Sequence, residues 1–419
     1  MQTMRTPLRP VTLKAIFSSL CLLVAACSGP AEDMPAASTA TAFEGARLIV
    51  GDGQVIENAT FTVDDGRFVA VGSTGEIEVP EGSTRVDLTG MTVMPAIIDA
   101  HVHMRTTRED LTEDLRRRAA MGVGAALSMG SDPEDAPLEI RDEGIPGAAR
   151  FASAGRGITA PEPGRSDVPH WVTSEEEARQ AVRDEAARDV DVIKIWVDDR
   201  NGQYDKLSPE LYGAVIDEAH QNGLRVAAHI FNLEDGKGLL RAGVDILAHG
   251  VRDRDIDDEF MTLARGRPDV LLIPNLPDRG VPADLSWLEG VMPADELAEL
   301  EAANVTSAEA QRAYVIQARN LARLSDAGMR VAFGTDGNRY WGAHQEMEDM
   351  VIAGMSPTDV LVAATRNSAE VLGLTDIGTI EAGKSADFIV LGANPLEDIT
   401  NTRRIADVYL RGEAVDRTP

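Results

Sequence analysis

From residue 42 the chain opens on short runs in which apolar and polar positions alternate, separated by turn dipeptides. LIVGDGQVI, FTVDDGRFVAVG and TRVDLTGMTV place β-branched residues around Asp52-Gly53 and Asp65-Gly66, a hairpin pattern. The same texture returns near the far end in ADFIVLG and RIADVYLRGEAV. Isolated hairpins are marginal in water. Residues 42–93 and 375–417 are therefore predicted to pair into one small β-sandwich domain.

Between them, over residues 94–374, the pattern changes to short, wholly apolar runs alternating with amphipathic stretches. The runs are AIIDAHVH, GVGAALSMG, ARFASAG, VDVIKIWV, LRVAAHIF, VDILAHG, DVLLIPN and RVAFGTDG. Such runs suit strands buried on both faces of a parallel sheet. Helices fit between them. TSEEEARQAVRDEAARD begins with Thr173 and a glutamate three residues on, which reads as a capping box. SPELYGAVIDEAHQNG begins at Ser208, has Pro209 in its first turn and stops at Gly223. Eight strand–helix units predict an α/β chain folded as a (β/α)₈ barrel. A doubly wound open sheet would want a Gly-rich phosphate loop after its first strand, and none is present.

The first residues have a different character. Arg5, Arg9 and Lys14 precede the apolar run AIFSSLCLLVAA, too short to span a membrane, which reads as a signal peptide over residues 1–26. The run ends in V-A-A-C and resembles the lipobox of bacterial lipoproteins. That resemblance implies that Cys27 is the lipidated mature N-terminus, followed by a flexible Pro/Ala/Ser-rich tether over residues 27–41. The expected location is the periplasmic side of a bacterial membrane, most simply the outer one, with the lipid as the sole membrane contact. Cys21 leaves with the signal, so neither a disulfide framework nor a thiol nucleophile remains.

Net charge is −29, and loss of the three basic signal residues makes it more negative still. With no Lys/Arg cluster, this argues against nucleic acid and anionic lipid as partners. A small molecule is the expected partner, and a homo-oligomer is left open.

In a barrel of this kind the chemistry gathers at the C-terminal ends of the strands. Those ends carry His101 and His103, Lys194, His229, His249 and Asp336, although the whole chain has only seven histidines. Strand periodicity puts His101 and His103 on one face, a chelating arrangement. His229 and His249 taken singly read equally well as buried structural histidines, and Asp336 as a turn residue. Lys194 is harder to dismiss. A charged ammonium in so apolar a strand is costly, so its pKa should fall. The resulting neutral amine can combine with CO₂ to give a carbamate. The competing account pairs Lys194 with Asp198 or Asp199. His170 and His220, in a loop and a helix, read as structural.

In order, PAIIDAHVH, IKI, AAH, LAHG and GTDG resemble the metal signature of the amidohydrolase superfamily. SAEVLGLTDIGTIEAGKSADFIVLGANPLEDI resembles that family's return from the last barrel helix into its β-sandwich. One departure is Ala96, where the family usually has glycine. The flanking regions are also similar to imidazolonepropionases, but the strand-four lysine counts against that activity and points to the binuclear branch, similar to Xaa-Pro dipeptidases and N-acyl-amino-acid hydrolases. Asn232, where deaminases carry glutamate, speaks against deamination. The resemblance implies two divalent ions, zinc first. His101, His103 and Asp336 hold one, His229 and His249 the other, and carboxylated Lys194 bridges them. It further implies amide or peptide-type C–N hydrolysis by a metal-bridging hydroxide, with Asp336 moving the proton. Ester, lactone or cyclic-amide cleavage on the same site is the nearer alternative, and a non-catalytic metal-containing binding lipoprotein the more distant one. Arg252 is a candidate contact for a substrate carboxylate. Tyr340, Trp341 and His344 are candidates for the pocket wall.

Overall fold

A computed structural model describes residues 39–417. The segments read as signal peptide, lipidation site and most of the tether lie outside the described residues. The first strand begins at Thr41, inside the stretch expected to be tether, because Ala40 and Ala42 are already buried.

Eight parallel strands follow from the apolar runs: β1 (Ile97–Val102), β2 (Val123–Ser128), β3 (Arg150–Ser153), β4 (Ile193–Trp196), β5 (Val226–His229), β6 (Ile246–Ala248), β7 (Leu271–Ile273) and β8 (Arg330–Val331). β1, β2 and β3 form one parallel sheet, and β4 to β8 lie in order in another that also takes in two short strands, Ile158–Thr159 and His170–Trp171. Backbone hydrogen bonds also join the first parallel strand to the segment after the last. Ala100 N donates to Phe333 O (2.9 Å) and Asp336 N to His101 O (2.8 Å). This α/β arrangement is of the TIM-barrel type.

Strand periodicity sorts the side chains. Val192 shares an apolar cluster with Ile98, Ala227, Ile246 and Leu271, drawn from other parallel strands, whereas Ile193 and Ile195 cluster with helix residues such as Val215 and Leu239. Lys194, two residues after Val192, thus falls on the side facing the other strands.

Helices α1 (Arg108–Ala120), α2 (Glu175–Ala187), α3 (Pro209–Gln221), α4 (Ala308–Asp326) and α5 (Gly342–Ile352) lie among the connections. α3 starts as expected, with Ser208 Oγ accepting from Leu211 N. The cap of α2 is displaced by one residue from the sequence expectation. Ser174 is the N-cap, accepting from Glu177 N, while Thr173 donates its N–H and hydroxyl to the Glu177 carboxylate at 2.7 and 2.8 Å. Two adjacent residues that can both cap leave the choice to the extended backbone at Ser174, which frees its hydroxyl to turn inward.

The two ends of the described chain meet in a single eight-stranded sheet. Its central connection is Phe388–Leu391 running antiparallel to Thr92–Pro95, which in turn pairs with Arg47 and Leu48. Met94 and Pro95, expected at the start of the barrel, therefore belong to this sheet. The Asp65-Gly66 turn has both residues at positive φ, as its hairpin needs. Phe43, Phe61, Phe68, Phe388 and Tyr409 form the sheet's aromatic core, with Phe388 within 5.8 Å of each of the other four rings. Phe388→Ala is expected to cost about 3–5 kcal/mol of stability, measured by denaturant unfolding. A loss below about 1 kcal/mol would contradict the packing described.

Candidate metal centre

The strand ends bring together all six residues in which the sequence placed metal chemistry. Asp336 Oδ1 lies 3.2 Å from both His101 Nε2 and His103 Nε2, and Asp336 Oδ2 lies 3.7 Å from His249 Nε2. Lys194 Nζ is 3.4 Å from His101 Nε2. The His229 and His249 rings are 4.5 Å apart, and the His101 and His249 rings 5.1 Å. His103 Nδ1 is 3.0 Å from Ser131 Oγ, which fixes its ring. Gly334 makes room for this packing: a Cβ there would fall 2.7 Å from that of His101. His249 and Asp336 both adopt positive φ (72° and 54°), an unusual backbone for non-glycine residues and one that clusters at functional sites.

Burial dominates the electrostatics. His101, Lys194, His229 and His249 are all buried, while His103 and Asp336 face the opening, Asp336 with 39% of its side chain exposed. Desolvation, helped by the Lys194 charge, pushes the His101 imidazole down to about 3, and desolvation takes His229 to about 4. His249 falls well below the ordinary imidazole value for the same first reason. Burial lowers the Lys194 ammonium to about 7, against the pull of Asp336. Burial alone would raise the Asp336 carboxyl. The surrounding imidazoles, His249 first, outweigh it and leave a carboxylate.

This donor set fits a divalent ion. Metal binding needs neutral imidazole nitrogens and an ionised carboxylate; burial enforces the first, and the imidazoles around Asp336 secure the second against burial. Donor atoms of His101, His249 and Asp336 lie within 4.8 Å of one another. A thiolate-free nitrogen and oxygen set suits zinc or another first-row divalent ion.

The remaining expectations fare differently. Arg252 lies beside the centre: its guanidinium stacks 3.1 Å from the centroid of Phe231, whose ring packs on His229 and His249. Burial lowers it to about 10. Asp198 does not pair with Lys194; its Oδ2 lies 3.3 Å from His229 Nε2 and accepts from Arg200 at 2.7 Å. Asp199 turns instead to Lys206. His344 is wholly buried between Thr402 Oγ1 (3.1 Å) and Met121 O (3.0 Å), committed to packing rather than to a pocket wall. Trp341 is buried against Trp287 and Leu288, and Tyr340 lies under Arg117. The segment after Asp336 carries these side chains into the helix layer instead of along the metal centre. His170 pairs with Glu185 and His220 with Asp245.

Four residues around these strand ends went unread in the sequence. Phe231 carries no polar signal. Asp99 sits within the first metal motif and looks like part of an apolar strand. Arg118 hides in the polar run LRRRAA. Asn275, at the end of β7, is buried at φ 42° with both side-chain amide atoms unpartnered.

Known proteins resemble this chain over most of its length. The model of the amidohydrolase family matches residues 92–415. Ochratoxinase of Aspergillus niger is 26% identical over 84% of this chain and 81% of its own. Imidazolonepropionase of Geobacillus thermodenitrificans is 26% identical over 82% and 86%. Among solved structures, a Bifidobacterium longum protein provisionally assigned as a prolidase superposes with a TM-score of 0.74, at 29% identity over 90% of this chain and 94% of that one.

The neutral imidazoles carry a pH signature. Their folded pKa values lie below the ordinary 6.5, so the unfolded chain takes up protons that the folded one refuses as pH falls. Metal-free protein is expected to lose up to about 1.4 kcal/mol per imidazole per pH unit below about 6.5, until His229 titrates at about 4 and His101 at about 3. Denaturant unfolding across that window measures it, and a flat profile would mean that these rings are solvated.

Proposed function

The chain belongs to the amidohydrolase family and is a hydrolase of amide-type carbon–nitrogen bonds, and on that premise we propose that it cleaves N-acyl amino acids or dipeptides with a pair of divalent ions. The observation that carries the reading is the convergence of four imidazoles, a carboxylate and a desolvated amine on one set of strand ends. We read the two parallel sheets as parts of one closed (β/α)₈ barrel, with the sheet built from both chain ends as its accessory domain.

His101, His103 and Asp336 would hold one ion, His229 and His249 the other, zinc being the best match to the donors. Once bound, such ions supply Lewis-acid polarisation of a carbonyl and acidify water. Lys194 contributes a neutral amine. Its Nζ can form a bond to the carbon of CO₂ and release a proton to water, leaving an anionic carbamate positioned beside His101. Asp336, the one carboxylate between three imidazoles and the opening, is placed to accept a proton from the attacking water at Oδ2 and return it to the departing nitrogen. Arg252 would pair with the substrate carboxylate. It is held flat by Phe231 and makes no ion pair among the described residues, with the Asp198 and Asp336 carboxylates attracting it only from a distance. This favours substrates that are themselves acids over neutral amides, esters and lactones.

Export as a periplasm-facing lipoprotein anchored through Cys27, in the outer membrane, is proposed on the sequence alone. The basic start, the short apolar run and V-A-A-C support it. The acidic balance supports a small-molecule substrate over nucleic acid.

Two outcomes test the reaction. Lys194→Ala is expected to bind fewer ions per chain by elemental analysis and to lose nearly all turnover, and ¹³C-bicarbonate should label the wild-type lysine but not the variant. A fully active Lys194→Ala protein would overturn the role. Arg252→Gln is expected to raise KM about 10–100-fold for an N-acyl amino acid, the worth of a hydrogen bond to a charged group, and to leave its C-terminally amidated analogue unaffected. Equal effects on both substrates would remove Arg252 from carboxylate recognition.

A further inference from the structure

We propose that the buried ion pair between Asp99 and Arg118 is a positioning device that holds Asp336 against His101 and His103, acting on the centre without touching ion or substrate. Both side chains are wholly buried, with Arg118 Nη1 3.2 Å from Asp99 Oδ2. Asp99 lies two residues before the first histidine of the centre, and Arg118 reaches it from α1.

The hydrogen bonds of the pair converge on one target. Asp99 Oδ1 accepts from the Thr335 N–H at 3.0 Å and, more weakly, from the His101 N–H at 3.4 Å. Asp99 Oδ2 accepts from the Thr335 hydroxyl at 2.8 Å. Arg118 Nη2 donates to Gly337 O at 3.0 Å. The residues immediately before and after Asp336 are thus each gripped by one partner of the pair. Asp336 itself stands between them in the left-handed region at φ 54°, with its N–H on His101 O and its part-exposed carboxylate against His101 and His103. A sparsely populated backbone conformation persists only when its surroundings over-determine it. Here the over-determination is visible on both flanks.

A purely structural role accounts poorly for the choice of residues. Leu111 and Leu115 already bury the inward face of α1. Arg118 keeps a buried Nε without any partner, a cost that an apolar side chain would avoid. Buried ion pairs are commonly matched or bettered in stability by apolar replacements. What an apolar residue could not do is hold Thr335 and Gly337 at once.

The experiment uses the zinc-loaded full-length enzyme. Thr335→Val removes one bond to Asp99 without stranding a charge. Asp99→Asn with Arg118→Met removes the pair as a unit, so that no lone charge is buried. Outer partners of metal ligands typically govern about 10–100-fold in affinity or activity. The double variant is accordingly expected to bind zinc 10–100-fold more weakly in chelator titrations, to retain fewer ions per chain, and to lose kcat by a similar factor with KM within about threefold. Thr335→Val should show a smaller loss in the same direction and no further loss in the double-variant background. Arg118→Lys, which can reach Asp99 or Gly337 O but not both, should fall between. A folded double variant with wild-type zinc affinity and ion count overturns the inference, as does a Thr335→Val effect that simply adds to that of the pair. The kinetic arm rests on the proposed reaction. Wild-type enzyme inert on every amide would defeat that reaction, while zinc affinity and the Thr335 coupling would still decide the positioning role.

Discussion

Water is scarce where the parallel strands end, and that scarcity governs the chemistry of the site. A protonated imidazole or ammonium loses most of its solvation there, and His101, Lys194, His229 and His249 all shift toward their neutral forms for that reason before any other. Neutral nitrogen donors crowded this closely, and facing one ionised carboxylate, are matched to a cation. The apolar walls built by Val192, Ile98, Ala227 and Leu271 are therefore as much a part of the centre as the ligands.

The same dryness explains why the supporting shell is so specific. A carboxylate such as Asp336 could adjust freely in water. Here it sits at the boundary between buried imidazoles and the opening, and its backbone is gripped from both sides. Asp198 plays a comparable part across the centre, where it receives His229 and Arg200 together. Charged groups at these strand ends are connected in chains, and each is anchored to secondary structure some distance away.

Much of this was legible in the sequence, and the illegible part has physical reasons. Strands buried on both faces leave unmistakable apolar runs, so eight parallel strands could be read, though not the short Ile158–Thr159 and His170–Trp171, and a histidine, lysine or aspartate at the end of such a run stands out. The aromatic contacts were not readable, because Phe231, Trp341 and Trp287 look alike in a linear pattern whether they line a site or fill a core. His344 was misplaced for a related reason: its neighbours in space, Thr402 and Met121, are far away in sequence. Arg118 went unnoticed because it follows Arg116 and Arg117 in a helix whose outer face is polar. Only its place in the three-dimensional turn of α1 makes one of three consecutive arginines a buried one.

The sheet shared by the two chain ends also has a temporal meaning. Thr92–Pro95 cannot acquire its neighbour Phe388–Leu391 until almost the whole polypeptide exists, and Phe43 and Phe61 must wait for the rings of Phe388 and Tyr409. During synthesis the accessory sheet therefore stays open-edged, with its aromatic residues unburied, after the alternating strand–helix units have already emerged. A chain cut short between Asp336 and Phe388 would retain every proposed metal ligand yet expose an unpaired strand edge. Long-range closure of this kind turns the last-made segment into a latch that distinguishes complete molecules from incomplete ones.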